Sequence, residues 1–250
     1  MNSVFLVVYI CGFLSYLEAN PVKLPKGFIQ CKQSDPQFDQ CVTKAVNEAV
    51  PELVKGVPRF GLPPIDPLRI STLSIDQGHG PVAIKMDFND LDIVNIGTAD
   101  VKDVKVDMGK KAINMKLDLS APVILEGHYK VSGKVLVLPI QGDGRSKFTL
   151  SGFKAEATCN FKETTKDGET FWSLDNMDFN FSVTKLHIIM ENLFNGDKAL
   201  GDNMNVFLNE NWPEILGELR GAFRTAFASA FSEIAQRFFE KVPIEQVFPK

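Results

Sequence analysis

His79, His128 and His187 are the first candidates for proton transfer in this 250-residue chain. A general base needs a nucleophile or an orienting acid within hydrogen-bond reach. His79 stands in a glycine-rich stretch, His128 on the polar side of an alternating run and His187 in a mostly apolar run. None is accompanied by a nucleophile motif, and all three read as surface or packed side chains. The patterns G-x-S-x-G, H-E-x-x-H and G-x-x-x-x-G-K-[ST] do not occur. Gln141-Gly142-Asp143-Gly144-Arg145-Ser146 has the glycines of a phosphate loop, but lacks the Lys-Ser/Thr step and a following helix. It reads as a hairpin turn. Asp90 and Asp92 alternate on a strand and read as solvated carboxylates. No catalytic residue is assigned, and the chain is expected not to be an enzyme.

The remaining chemistry is that of cysteine and asparagine. The four cysteines are Cys11, Cys31, Cys41 and Cys159, with no C-x-x-C pair and no Cys/His zinc spacing. No metal site or cofactor is expected. Residues 1–19 carry an apolar run from Val4 to about Leu14, with Ala19 before a plausible cut. The run is short of the roughly 20 residues that span a bilayer, so it reads as a secretory signal peptide rather than an uncleaved anchor. Secretion favours a disulfide, and Cys31 with Cys41 is the local pair. Closing so short a loop contributes roughly 2–3 kcal/mol in the chain-entropy model. Cys159 is left as a buried thiol or an intermolecular partner. Asn180-Phe181-Ser182 is an N-glycosylation sequon. The alternative is that Asn180 is a plain polar strand residue.

Composition narrows the class. Lys plus Arg is 27 against 31 Asp plus Glu, a net charge of -4, with 44% hydrophobic and 23% charged residues. These ordinary values exclude wholesale disorder and collagen-like sequence. The weak acidity offers no drive toward nucleic acid or an anionic membrane. There are 20 Phe against 2 Trp and 3 Tyr. Phe carries no hydrogen-bonding group, so the aromatic surface is built to be dry.

The elements that would position these residues follow from periodicity. Asp35-Pro36 reads as a helix N-cap and first-turn pair, and Phe38, Val42, Ala45, Val46, Ala49 and Leu53 recur at helical steps to Gly56, with a kink expected at Pro51. The proline-rich segment VPRFGLPPIDPL reads as a stiff connector without regular structure. From Ile70 to about Met190 the period becomes two. The cleanest run is Val123, Leu125, Gly127, Tyr129, Val131, Gly133, Val135 and Val137 on one face. At about 15 residues it is far longer than the usual 5–6. Gly127 and Gly133 on that face mark bends or close backbone approach, and Lys166-Asp167-Gly168 reads as a turn. A long, curved antiparallel sheet with one dry concave face fits.

The last stretch is helical again. Met204, Leu208, Ile215, Leu219, Phe223, Phe227, Phe231, Ile234 and Phe238 form one apolar stripe. From Gly201 to Lys241 it would extend roughly 60 Å, with Pro213 kinking it or starting a new helix after Asn211. A long curved sheet could wrap such a helix. If the two faces meet, the interior is solid; if the sheet curves away, a tunnel lined by Phe, Val, Leu and Met results.

Five features together resemble the insect takeout and juvenile-hormone-binding protein family. They are the leader followed by Cys31 and Cys41, VPRFGLPPIDPLRI, LEGHYKVSGKVLVLPIQGDGRSKFTLSGF, NENWPEILGEL, and FFEKVPIEQVF. The resemblance implies an α+β tubular lipid-binding fold, a long C-terminal helix wrapped by a highly curved antiparallel β-sheet. It also implies one domain over 20–250 with a tunnel for one lipophilic molecule. Rhythmic expression is a family association. Hormone carriers of the family have a second disulfide. Here Cys159 could be one half, but no later Cys exists. The chain therefore looks more like the takeout branch, and juvenile hormone is not assigned as its ligand.

The expected function is that of a secreted, monomeric, extracellular carrier of a long hydrophobic small molecule such as a lipid or terpenoid, with no nucleic-acid partner and no membrane span. The alternatives are a secreted signalling or interaction protein without a ligand, and a lipid-ester hydrolase, which the missing nucleophile motif disfavours. Expected tunnel residues are Val123, Leu125, Tyr129, Val131, Val135 and Val137 from the sheet, and Phe223, Phe227 and Phe231 from the helix. The Tyr129 hydroxyl would be the polar handle. Core packing is the competing role for each.

Overall fold

The computed structural model describes Leu24 and residues 28–250, so the leader reading for 1–19 lies outside the described residues. Helix α1 spans Phe38–Lys55. It starts later than the Asp35-Pro36 pair suggests, because the Asp35 carboxylate accepts a hydrogen bond from the Gln37 amide (2.8 Å) and closes a separate turn. The helix runs on through Pro51. Cys31 and Cys41 are disulfide-bonded and tie the preceding segment to the first turn of α1. The proline-rich connector is not wholly irregular, since Pro58–Phe60 forms a 3-10 turn.

The strands are β1 (Leu68–Gln77), β2 (Val82–Val94), β3 (Ala99–Asp107), β4 (Ala112–Leu119), β5 (Val123–Val135), β6 (Leu138–Ser151), β7 (Lys154–Lys166), β8 (Glu169–Ser182) and β9 (Lys185–Met190). The expected curvature is divided between two antiparallel sheets, ordered β1-β2-β5-β6-β9 and β3-β4-β7-β8. The chain passes between sheets after β2, β4, β6 and β8. At the β6–β7 crossing Gly152 has φ 60°, and a Cβ there would lie 2.5 Å from the Thr184 hydroxyl. Glycine is required on both counts. At the β2–β3 crossing the Asp66 carboxylate accepts hydrogen bonds from the Asn95 and Gly97 amides, each 2.9 Å.

The long alternating run is β5, paired with β6 in unbroken register from Val123↔Leu150 to Val135↔Leu138. That register overturns two expectations. Gln141–Gly144 is not a turn but lies inside β6, opposite Tyr129–Ser132. Its glycines make room: a Cβ on Gly142 would lie 2.5 Å from the Tyr129 hydroxyl. The hairpin turn is instead Leu136–Val137, with Leu136 at φ 54°. Val137 therefore leaves the dry face that its alternation suggests. It sits at the hairpin tip, 84% exposed, because the register turns the chain back at Val135 and no layer reaches over the tip. Gly133 does mark close approach, since a Cβ there would run into the Ala83 carbonyl of β2.

Pro213 starts a new helix. Helix α2 covers Lys198–Glu210 and α3 covers Trp212–Phe239, so the apolar stripe is carried by two helices that meet at Asn211, the second of the two outcomes expected at Pro213. Proline is tolerated in a first turn, where its missing N–H would be unpaired anyway. At 28 residues α3 extends about 42 Å. The short helix α4 (Ile244–Val247) closes the chain. Among the described residues no helix is long and apolar enough to cross a membrane.

Helix side chains cover three of the four edge strands. Asp39, Thr43 and Asn47, one turn apart on α1, accept the Val106, Val104 and Val101 amides of β3 at 3.1, 2.9 and 2.9 Å. Asn209 and Asn205 of α2 each exchange two hydrogen bonds with β9, at Ile188 and Met190. Arg220 and Arg224 of α3 donate to the Phe181 and Phe179 carbonyls of β8. These bonds satisfy backbone groups that an edge leaves open, and they fix how far each helix stands from its sheet.

Candidate ligand-binding site

Among the described residues the interior leaves apolar space beneath the sheets. Two apolar chambers stand out, of about 430 Å³ and about 50 Å³. The large chamber lies between α1, the inner face of β3-β4-β7 and the C-terminal half of α3. Its walls include Val42, Ala45, Val46 and Ala49 of α1, Met115 and Leu117 of β4, Ala155 and Ala157 of β7, and Phe227, Phe231, Ile234 and Phe238 of α3. The small chamber lies under β2, β5, β6 and β9, against Leu208 of α2 and the first half of α3. Every side chain lining either chamber is built of carbon, hydrogen and, for Cys and Met, sulfur. The space arises where small residues point inward. Ala45 and Ala49 of α1 and Ala155 and Ala157 of β7 line the large chamber, while Phe148, Phe181 and Phe223 line the small one.

The sequence-derived residues divide accordingly. Val123 and Phe231 line the large chamber only; Val131, Val135 and Phe223 line the small one only; Leu125 and Phe227 line both. Val137 is at the exposed hairpin tip. Tyr129 lines neither chamber. It is fully buried, and its hydroxyl donates to the Glu191 carbonyl at 2.7 Å. The polar-handle role expected for it is overturned because the hydroxyl is already satisfied inside the protein. Burial, with Asp143 and Glu191 nearby, pushes its pKa up to about 12. Replacing Tyr129 with Phe should leave uptake of an apolar probe unchanged and cost about 1–2 kcal/mol in chemical denaturation, since the Glu191 carbonyl loses its donor. A loss of uptake at unchanged stability would contradict this placement.

Most of the large chamber leaves no local trace in the sequence. The alternating β4 set Ile113, Met115, Leu117 and Leu119 and the α1 stripe were visible, but nothing local showed that they face empty space. The usable signal was size: alanines at inward positions of α1 and β7, in a chain otherwise rich in Phe.

Cys159 lines the large chamber, and burial pushes its thiol from an ordinary 9.0 up to about 11. It stays protonated near neutrality and is a poor nucleophile. Tyr129 and Cys159 both hold their protons more tightly folded than unfolded. Their contribution to stability is complete below about pH 9 and is lost as pH rises through about 11 and 12. Denaturation midpoints should therefore fall over that alkaline range, and fall less in a Cys159→Ala, Tyr129→Phe double variant. Equal slopes would refute the assignment.

The polar candidates lie outside the chambers. His79, His128 and His187 are exposed, and His128 Nε2 stands 3.2 Å from an Asp143 carboxylate oxygen on the surface. Asp92 pairs with Arg69, which holds its carboxyl below the usual range. Asn180 and Ser182 are exposed on β8. Among the described residues no group of three or more His, Cys, Asp or Glu could hold a metal ion.

Comparison with known proteins agrees with this architecture. The family model for haemolymph juvenile hormone binding protein matches residues 4–249. The Circadian clock-controlled protein daywake of Drosophila melanogaster is 24% identical over 248 residues, covering 96% of this chain and 95% of the relative. The Putative beta-carotene-binding protein of Schistocerca gregaria is 20% identical over 217 residues, 86% of each chain. Takeout 1 of Epiphyas postvittana superposes with a TM-score of 0.77 at 27% identity, covering 88% of this chain and 99% of that one.

Proposed function

The chain belongs to the haemolymph juvenile hormone binding protein family, and from that premise we propose that it is a secreted carrier of one long, hydrocarbon-like molecule held in the large chamber. The long C-terminal helix against antiparallel sheets, with the takeout likeness, is the tubular lipid-binding fold. The observation that carries the reading is a 430 Å³ space lined by side chains without a single oxygen or nitrogen atom. That volume lies within the range of small-molecule pockets. A carboxylate or other charged group buried there would find no side-chain partner and would be strongly penalised. Removing apolar ligand surface from water supplies about 25 cal/mol per Å² against the cost of association. The carotenoid named for the locust relative is a cargo of this kind. The disulfide suits an oxidising extracellular compartment, and no catalytic step is required of a monomeric carrier.

The test is titration with diphenylhexatriene, an apolar rod whose fluorescence rises in dry surroundings, together with a fluorescent polyene fatty acid. One saturable equivalent of diphenylhexatriene per chain is expected, with the fatty acid binding at least tenfold more weakly. Absence of saturable binding, with an empty organic extract of protein purified from its source, would favour a signalling or interaction protein instead.

A further inference from the structure

Among the described residues, Leu125, Leu150 and Phe227 alone line both chambers. Leu125 and Leu150 come from adjacent strands of the five-stranded sheet, and Phe227 comes from the helix facing them. The Phe227 ring is 4% exposed. It stacks in a column with Phe223 and Phe231 at 6.0 and 6.3 Å, and meets Phe179 and Phe181 edge-on at 6.0 and 5.8 Å. One neighbour in the column, Phe223, lines only the small chamber; the other, Phe231, lines only the large one. The ring thus stands at the boundary between two spaces of the same chemistry. A void of about 50 Å³ with apolar walls stays dry, so no bound water has to be displaced for a ligand tail to enter it.

We propose that Phe227 is a specificity-determining residue: it partitions the interior and thereby sets the longest hydrocarbon the protein accepts. This rests on the carrier reading above. Each methylene buried in the large chamber is worth about fourfold in affinity. That gain ends when the chain end reaches the Phe227 ring. Removing the ring joins the chambers and lets the gain continue into the space beyond.

The experiment is competition of n-alkanes of increasing length against diphenylhexatriene. For the wild type, affinity should rise with length to a limit and then level off. Phe227→Ala should move the limit to longer alkanes, raising the affinity for the longest relative to the shortest at least tenfold over the wild-type ratio. Leu125→Ala opens the same boundary from the sheet side and serves if Phe227→Ala does not fold. Phe223→Ala enlarges only the small chamber and should leave the limit in place. An unmoved limit in both Phe227→Ala and Leu125→Ala, with probe binding retained, overturns the partition alone. An equal shift in Phe223→Ala also overturns it. Failure of the wild type to bind any of these hydrocarbons removes the carrier reading and the partition with it.

Discussion

Replacing Ala157 with Phe should reduce binding of diphenylhexatriene by a factor of ten or more while leaving the fold at least as stable as the wild type. Ala157 sits on β7 between Met115 and Phe179 of the neighbouring strands, and its methyl group faces the large chamber. An apolar cavity of about 150 Å³ accepts benzene, so one added ring takes up about a third of the space. A large side chain placed in a packed core forces strain of about 1–3 kcal/mol. Here the ring enters a void instead, and gains contacts the alanine lacks. The two signs together make the test sharp. Lost binding with unchanged or raised stability identifies a ligand space, whereas lost stability would mean that the site is closed in solution. Calorimetry with a parallel probe titration reads both.

The second large effect is at Trp172. This side chain is 1% exposed and packs on Phe161, Phe239 and Phe248 at centroid distances of 5.1, 6.1 and 6.2 Å. All three partners line the large chamber. Trp172→Ala should cost about 3–5 kcal/mol, through lost burial and the cavity it leaves. Those three rings would lose their backing, so probe affinity should fall as well. Trp172→Phe should behave differently. The indole N–H has no hydrogen-bond partner among the described residues, and an unpaired buried donor costs about 1–3 kcal/mol. Phenylalanine keeps much of the stacking and removes that donor, so the net loss should stay under about 2 kcal/mol. A Phe variant as unstable as the Ala variant would mean that the indole nitrogen has a partner.

Much of the fold is written in local pattern. The alternation of β5, the apolar stripe of α3, the Lys166-Asp167-Gly168 turn and the break at Pro213 each depend on a few neighbouring residues. Backbone sterics and burial period act at that range, so a single chain displays them. Where the fold departs from local pattern, long-range pairing is the cause. Gly142 resembles a turn residue, but its small size serves the Tyr129 ring on the paired strand. Val137 keeps the alternation of β5, but the pairing register has already turned the chain back. Tyr129 could be placed on the dry face, yet only the folded chain brings the Glu191 carbonyl to its hydroxyl, 62 residues away in sequence.

From the sequence alone came the chemistry of the interior. Twenty Phe against 3 Tyr and 2 Trp already describe a dry inside. The tertiary structure decided where that inside is empty. Asp39, Thr43 and Asn47 hold α1 to β3, and Arg220 and Arg224 hold α3 to β8. Those contacts set the distance between layers, and alanines among the lining positions leave the remainder unfilled. Along β5, large side chains meet across the same kind of gap and nearly close it. Residue type determines whether a surface is apolar; only the separation of the layers determines whether it meets another side chain or open space.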